Sequence, residues 1–164
     1  MKYSLLLILL LSAFASQAND SFTIYLTRHA EKQPDQKNPQ LTECGRQRAQ
    51  QLASMLEKVK LKQVYSTPYK RTMATAKPTA KQQQLTVTQY SPAKLKEFAQ
   101  ELLMRKENVL VVGHSNTTPQ LSALISEVDV AEISEKDYRN LYQIQVSASG
   151  KTLTLLTQPL TCHK

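Results

Sequence analysis

Apolar residues recur along this chain with two different periods, and the switches between them mark its elements. Phe22-Thr23-Ile24-Tyr25-Leu26 alternates and is rich in β-formers, which predicts a strand. Residues 31–40 hold Pro34, Asp35, Asn38 and Pro39, the composition of a loop. Thr42 stands where a helix cap belongs, and Ala49, Leu52, Leu56 and Val59 follow at helical spacing. Gln63-Val64-Tyr65-Ser66 predicts a short strand. Thr67-Pro68 predicts a second helix start, with Thr67 as cap and Pro68 at the first helical position. Pro78 is expected to kink or end that helix, because proline has no N–H to donate. Leu85-Thr86-Val87-Thr88 predicts a third strand, and Ser91-Pro92 another cap-and-proline start. Leu95, Phe98, Ala99, Leu102 and Leu103 form one apolar helical face, the clearest period in the chain. Val109-Leu110-Val111-Val112 is uninterrupted, as in a strand buried on both faces, and Gly113 ends it. A helix is expected from about Pro119, with Leu121, Leu124 and Ile125 on one side. Tyr142, Ile144 and Val146 alternate, and Ser149-Gly150 turns into Leu153 and Leu155, which predicts a terminal hairpin.

Strands alternating with helices predict an α/β protein of three layers, α/β/α, around a mostly parallel central sheet. In such sheets the reactive residues gather beyond the carboxyl ends of the strands. Composition agrees with one globular domain: 164 residues, 41% hydrophobic and 21% charged, which excludes collagen-like, coiled-coil and wholly disordered chains.

The amino end adds a targeting signal. Lys2 precedes an apolar run centred on Leu5-Leu6-Leu7-Ile8-Leu9-Leu10-Leu11, and small residues follow. Ser16 and Ala18 take the −3 and −1 positions of a cleavage site before Asn19, the secretory pattern. Residues 1–18 are therefore expected to be a signal peptide and residues 19–164 the working domain, in the periplasm or outside the cell. The run is short for a membrane span, so no stable span is expected after cleavage. Export would place Cys44 and Cys162 where disulfides persist, although sequence alone leaves their pairing open. The formal net charge of +8 favours anionic partners. No block of arginine and lysine with interleaved aromatics appears, which argues against nucleic acid.

Three predicted strand ends carry the unusual polar residues: Arg28-His29 after the first, Arg71 shortly after Ser66-Thr67-Pro68, and Gly113-His114 after the buried run. Two of only three histidines thus terminate strands expected to be neighbours. Arginine offers a planar donor fork matched to phosphate oxygens, so Arg28 and Arg71 can hold a phosphoryl group from two sides. A neutral imidazole can attack phosphorus, and a protonated one can donate to oxygens that gain charge. Arg71 falls in the first turn of its helix, where the helix dipole adds positive potential. Ser115 and Asn116, beside His114, either lend donors to substrate or cap the next helix.

These residues resemble the histidine phosphatase superfamily, of phosphoglycerate mutase-like fold, in its small branch 1 type. Arg28-His29 resembles the signature Arg-His-Gly, with Ala30 in place of Gly. Leu41-Thr42-Glu43-Cys44-Gly45-Arg46-Gln47-Arg48-Ala49 resembles the family's first helix start. Ser66-Thr67-Pro68-Tyr69-Lys70-Arg71-Thr72 with Thr75-Ala76 resembles the Ser-x-x-x-Arg-x-x-x-Thr-Ala segment. Val111-Val112-Gly113-His114-Ser115 resembles the strand that ends in the second histidine. The resemblance implies that His29 is the nucleophile, that Arg28, Arg71 and His114 bind phosphate, and that no metal or organic cofactor takes part.

The family's usual proton donors are missing. The mutase branch carries a Glu after the third strand, where this chain reads Gln89-Tyr90-Ser91-Pro92; another branch carries an acid where Ser115 stands. Glu31 and Asp35 are the candidate general acids in their place. The resulting expectation is an exported phosphatase acting on phosphate esters, a small phosphorylated substrate or an envelope phosphosugar, through a phosphohistidine. The alternatives are a phosphohistidine protein phosphatase, against which export argues, and a non-catalytic phosphate-binding module, against which the retained His29 argues. A metal site built on His29, Glu31 and His114 is disfavoured because Arg28 and Arg71 repel a cation. Residues 31–40 and 127–140 are the expected pocket walls, with Tyr138 and Arg139 in the second.

Overall fold

The computed structural model describes residues 21–34 and 37–162. The signal-like segment and Asp35 lie outside the described residues. The chain runs β1 (Phe22–Arg28), α1 (Glu43–Met55), β2 (Gln63–Ser66), α2 (Lys70–Gln82), β3 (Val87–Gln89), α3 (Leu95–Arg105), β4 (Val109–Gly113), α4 (Thr117–Ser126), β5 (Asn140–Ser147) and β6 (Gly150–Thr157). The six strands form one sheet in the order β3-β2-β4-β1-β5-β6. β3, β2, β4 and β1 run parallel, whereas β5 and β6 join antiparallel at one edge. This is the expected three-layer α/β architecture, extended at one side by the predicted hairpin.

The layers follow from strand alternation. In β1 and β4, Ile24, Leu26, Val109 and Val111 face the side that holds Phe98 and Leu102 of α3 and Leu121 and Ile125 of α4. Tyr25, Leu110 and Val112 face the other side, against Leu52 and Leu56 at α1 and Ala76 and Ala80 of α2. β4 is buried along its whole length, which explains why its sequence shows no alternation.

Several element starts differ from expectation. α2 begins at Lys70, because Thr67 does not cap it: the Thr67 hydroxyl is engaged with Thr72 and His114. Its first N–H, that of Lys70, donates instead to Asn38 Oδ1 at 3.0 Å, so the cap comes from a distant loop. Pro78 lies inside α2, which continues to Gln82. The missing hydrogen bond is outweighed by tertiary packing, since Thr79 and Ala80 beyond the proline are both buried. α3 begins at Leu95 and α4 at Thr117, each off its proline-based expectation, and Val59 lies beyond α1. The third strand is Val87–Gln89, shifted towards its carboxyl end because only these residues pair with β2. Thr42 does cap α1, accepting from the Gly45 N–H at 3.0 Å. Gly45 is required there: a Cβ would collide with the Glu31 carbonyl.

Candidate active site

The pairing of β1 with β4 sets the site. Arg28 stands opposite Gly113 in this register, so the next residues, His29 and His114, emerge side by side. The His29 N–H donates to the Gly113 carbonyl at 3.0 Å, carrying the ladder one step past the strand. The Ala30 N–H donates to Thr75 Oγ1 at 3.0 Å, and Thr75 Oγ1 donates to the Arg71 carbonyl at 2.8 Å. The histidine loop is thereby tied to α2, the helix that carries Arg71. The two imidazole centroids lie 5.6 Å apart.

Each histidine has its tautomer set by its partners. His29 Nδ1 donates to the Ala30 carbonyl at 2.8 Å, which leaves the Nε2 lone pair free. Arg71 Nη2 donates to His114 Nδ1 at 3.3 Å, so the His114 proton sits on Nε2 and is shared with Thr67 Oγ1 at 3.0 Å. Burial is the main force on both rings. It lowers His29 to about 3, with Arg28, Arg71 and His114 adding repulsion against the backbone contact at Ala30. It lowers His114 to about 4, with Arg71 and Arg28 adding to it. Both rings are therefore neutral at neutral pH. Protonation of His114, which would let it donate to phosphate oxygens, is favoured by an anion beside it.

Arg28 is 2% exposed. Its Nη1 donates to three carbonyls of one turn, those of Ser134, Glu135 and Asp137, at 3.0, 3.0 and 2.9 Å. Its guanidinium lies 4.1 Å over the Tyr138 ring. The Nε atoms of Arg28 and Arg71 are buried and have no hydrogen-bond partner among the described residues, and of the two arginines Arg71 lines the open pocket. Arg71 is the second residue of α2, as expected, and lies 4.8 Å over the Tyr69 ring. An open pocket of about 460 Å³ is lined by His29, Arg71, His114, Lys32, Tyr69 and Glu135, among others. A larger cavity of about 850 Å³ between α3 and α4 holds none of the histidines or arginines named above.

The remaining expected residues divide. Ser115, Asn116 and Thr117 line the pocket, and neither Ser115 nor Asn116 caps α4 with its side chain. Glu31 is not brought to the pocket. Its carboxylate receives Arg48 Nε at 2.9 and 3.0 Å and Nη2 at 2.6 Å, on the side of α1. This corrects the expectation that Glu31 supplies a proton: its oxygens are committed to a guanidinium. Arg139 donates to the Gln158 carbonyl and is structural. Among the described residues the carboxylate that does line the pocket is Glu135, which sequence reading missed. Its segment has no period, and only the expectation that residues 127–140 form a wall pointed there. Cys44 and Cys162 are paired as a disulfide with Cα atoms 6.0 Å apart. The sulfurs lie near Glu31, but a disulfide offers no thiolate to a metal.

Two imidazoles and two guanidiniums thus gather at the carboxyl ends of the parallel strands of an α/β sheet, a set of groups suited to an anion. Residues 24–100 match the histidine phosphatase superfamily (branch 1). No curated protein matches the chain in sequence. Among solved structures, a mycobacterial glucosyl-3-phosphoglycerate phosphatase aligns with a TM-score of 0.67 at 14% identity, covering 86% of this chain and 100% of that one. The protein histidine phosphatase SixA, complexed with tungstate, aligns at 0.68 with 16% identity, covering 83% and 97%. An Escherichia coli putative alpha-ribazole-5'-P phosphatase aligns at 0.62 with 18% identity, covering 87% and 99%. At these identities the likeness is one of fold, the phosphoglycerate mutase-like fold.

Proposed function

We propose that this protein is a phosphatase that hydrolyses phosphate monoesters through a phosphohistidine on His29. The observation that carries this reading is the His29 ring: Nδ1 is spent on the Ala30 carbonyl, and Nε2 keeps its lone pair beside Arg71 and His114. Simple anion binding needs no such nitrogen. The phosphoryl group sits between the free donors of Arg28 and Arg71. Its charge draws a proton onto His114, which then donates to the equatorial oxygens. Nε2 attacks phosphorus in line, and the ester oxygen departs with the bonding pair. Water then attacks the phosphohistidine, phosphate leaves, and the Nε2 lone pair is restored. The chain's own groups supply positioning and charge, the main needs of phosphoryl transfer.

Export belongs to the same proposal. It rests on the signal pattern of residues 1–18 and on the Cys44–Cys162 disulfide, a bond that persists in oxidising compartments. No helix among the described residues is long and apolar enough to cross a membrane. The net charge of +8, less the single charge of Lys2 removed with the signal, suits a small anionic ester or an envelope phosphosugar.

The test is hydrolysis of p-nitrophenyl phosphate with EDTA present, wild type beside His29→Ala. The wild-type rate is expected to resist EDTA, and the variant to lose at least about 10³-fold. Equal rates would remove His29 as nucleophile. Phosphate binding without turnover would leave a binding module.

A further inference from the structure

The proposed reaction lacks a proton donor for the leaving oxygen, and among the described residues the structure brings one carboxylate into the pocket lining. Glu135 lies in the turn whose carbonyls anchor Arg28 Nη1. Its backbone is therefore fixed to a buried group, while its side chain is 73% exposed. One carboxylate oxygen, Oε2, accepts from Arg28 Nη2 at 2.8 Å. The other accepts from the Ser115 hydroxyl. The carboxylate thus rests on a donor of Arg28 that a phosphate oxygen would also use.

We propose that Glu135 is the proton donor to the leaving-group oxygen, released for that task when the phosphoryl group displaces it from Arg28. The inference rests on the phosphatase reading above. In-line attack places the leaving oxygen opposite the nucleophile. His29 is 3% exposed and Glu135 is 73% exposed, and both line the pocket, so an oxygen leaving away from His29 departs towards solvent, to which the Glu135 side chain is open. At rest the Ser115 hydroxyl, Arg28 and Lys32 hold the Glu135 carboxyl below its ordinary range. A phosphate dianion on Arg28 removes one of these partners and adds a like charge, both of which favour the protonated form. Glu135 takes a proton from solvent as substrate binds. As Nε2 forms the N–P bond and the P–O ester bond breaks, the leaving oxygen takes the bonding pair and the Glu135 proton. The carboxylate then accepts a proton from the water that attacks the phosphohistidine. Because the side chain is 73% exposed and its turn is held by the carbonyl contacts to Arg28 Nη1, it can move without unfolding that turn.

The experiment compares wild type with Glu135→Gln, in the full protein, on p-nitrophenyl phosphate and on glycerol 2-phosphate. An alkoxide needs a proton far more than p-nitrophenolate does. The loss of kcat/KM in the variant is expected to be about 10²-fold greater on the alkyl ester than on the aryl ester. Inhibition by inorganic phosphate is expected to tighten several-fold, because the competing charge on Arg28 is gone. An equal loss on both esters would make Glu135 a support for Arg28 and overturn the proposal, as would no loss on either. Weaker phosphate inhibition would overturn the displacement step. A wild-type protein with no His29-dependent turnover on either ester fails the underlying phosphatase reading, visibly before the variant is compared, and takes this proposal with it.

Discussion

Two glutamate–arginine pairs flank the histidine loop, and the difference between them lies in burial. In the pair behind the loop, the Arg48 and Glu31 side chains are 4% and 15% exposed. Arg48 also donates to the Leu160 carbonyl, and the Cys44–Cys162 disulfide closes the same corner. In the pair at the pocket mouth, Arg28 is buried as deeply, but its partner Glu135 is largely exposed. A buried carboxylate has no water to replace its arginine, so that contact is fixed. An exposed one has water to replace its partner, so it exchanges at lower cost. The same two residue types therefore make a rivet in one place and a movable group in the other.

The sharpest way to break this comparison is Arg48→Met. It strands the Glu31 charge and is expected to cost about 3–5 kcal/mol in urea unfolding. Glu135→Gln should stay within about 1 kcal/mol in the same assay. Equal losses would mean that burial does not separate the pairs. Next in size is the disulfide, which links residues 118 apart. Replacing Cys44 and Cys162 together by Ser is expected to cost about 2–4 kcal/mol, with the rate of the folded fraction kept, because neither sulfur lines the pocket.

The histidines give a pH prediction. His29 is lowered from 6.5 to about 3 in the folded protein, so the unfolded chain binds more protons between those values. Stability then falls as pH drops through this window and is full above 6.5. His29 alone should remove about 2 kcal/mol between pH 7 and pH 5. Denaturant titrations at the two pH values check this: His29→Gln should flatten the difference by that amount, and an unchanged slope would contradict the burial of a neutral ring. The smallest effect expected is at the α1 cap. Thr42→Ala should lower the thermal stability by about 1 kcal/mol, through the lost bond to the Gly45 N–H.

Much of this was legible in the chain itself. Residues 109–112 announced a strand buried on both faces because no position in it needs to be polar. Arg28, His29, Arg71 and His114 were legible because they follow strand ends, and the sheet brings them together. Helix starts were less legible. Thr67-Pro68 has the composition of a cap, yet the Thr67 hydroxyl is drawn away by Thr72 and His114, partners distant or hidden in sequence. Pro78 failed as a stop because packing beyond it outweighs one missing hydrogen bond.

The carboxylates mark the boundary between what sequence and fold each decide. Local composition and period determined the order of strands and helices, the layering, and which strand ends carry imidazole and guanidinium groups, because these depend on neighbours within a few residues. Which acid faces the pocket depends on contacts made across the chain. Glu31 stands two residues from His29 and turns away to Arg48; Glu135, about a hundred residues on, is carried in by Arg28. A charged side chain goes where a buried opposite charge is left to be neutralised, and only the assembled sheet fixes where that is.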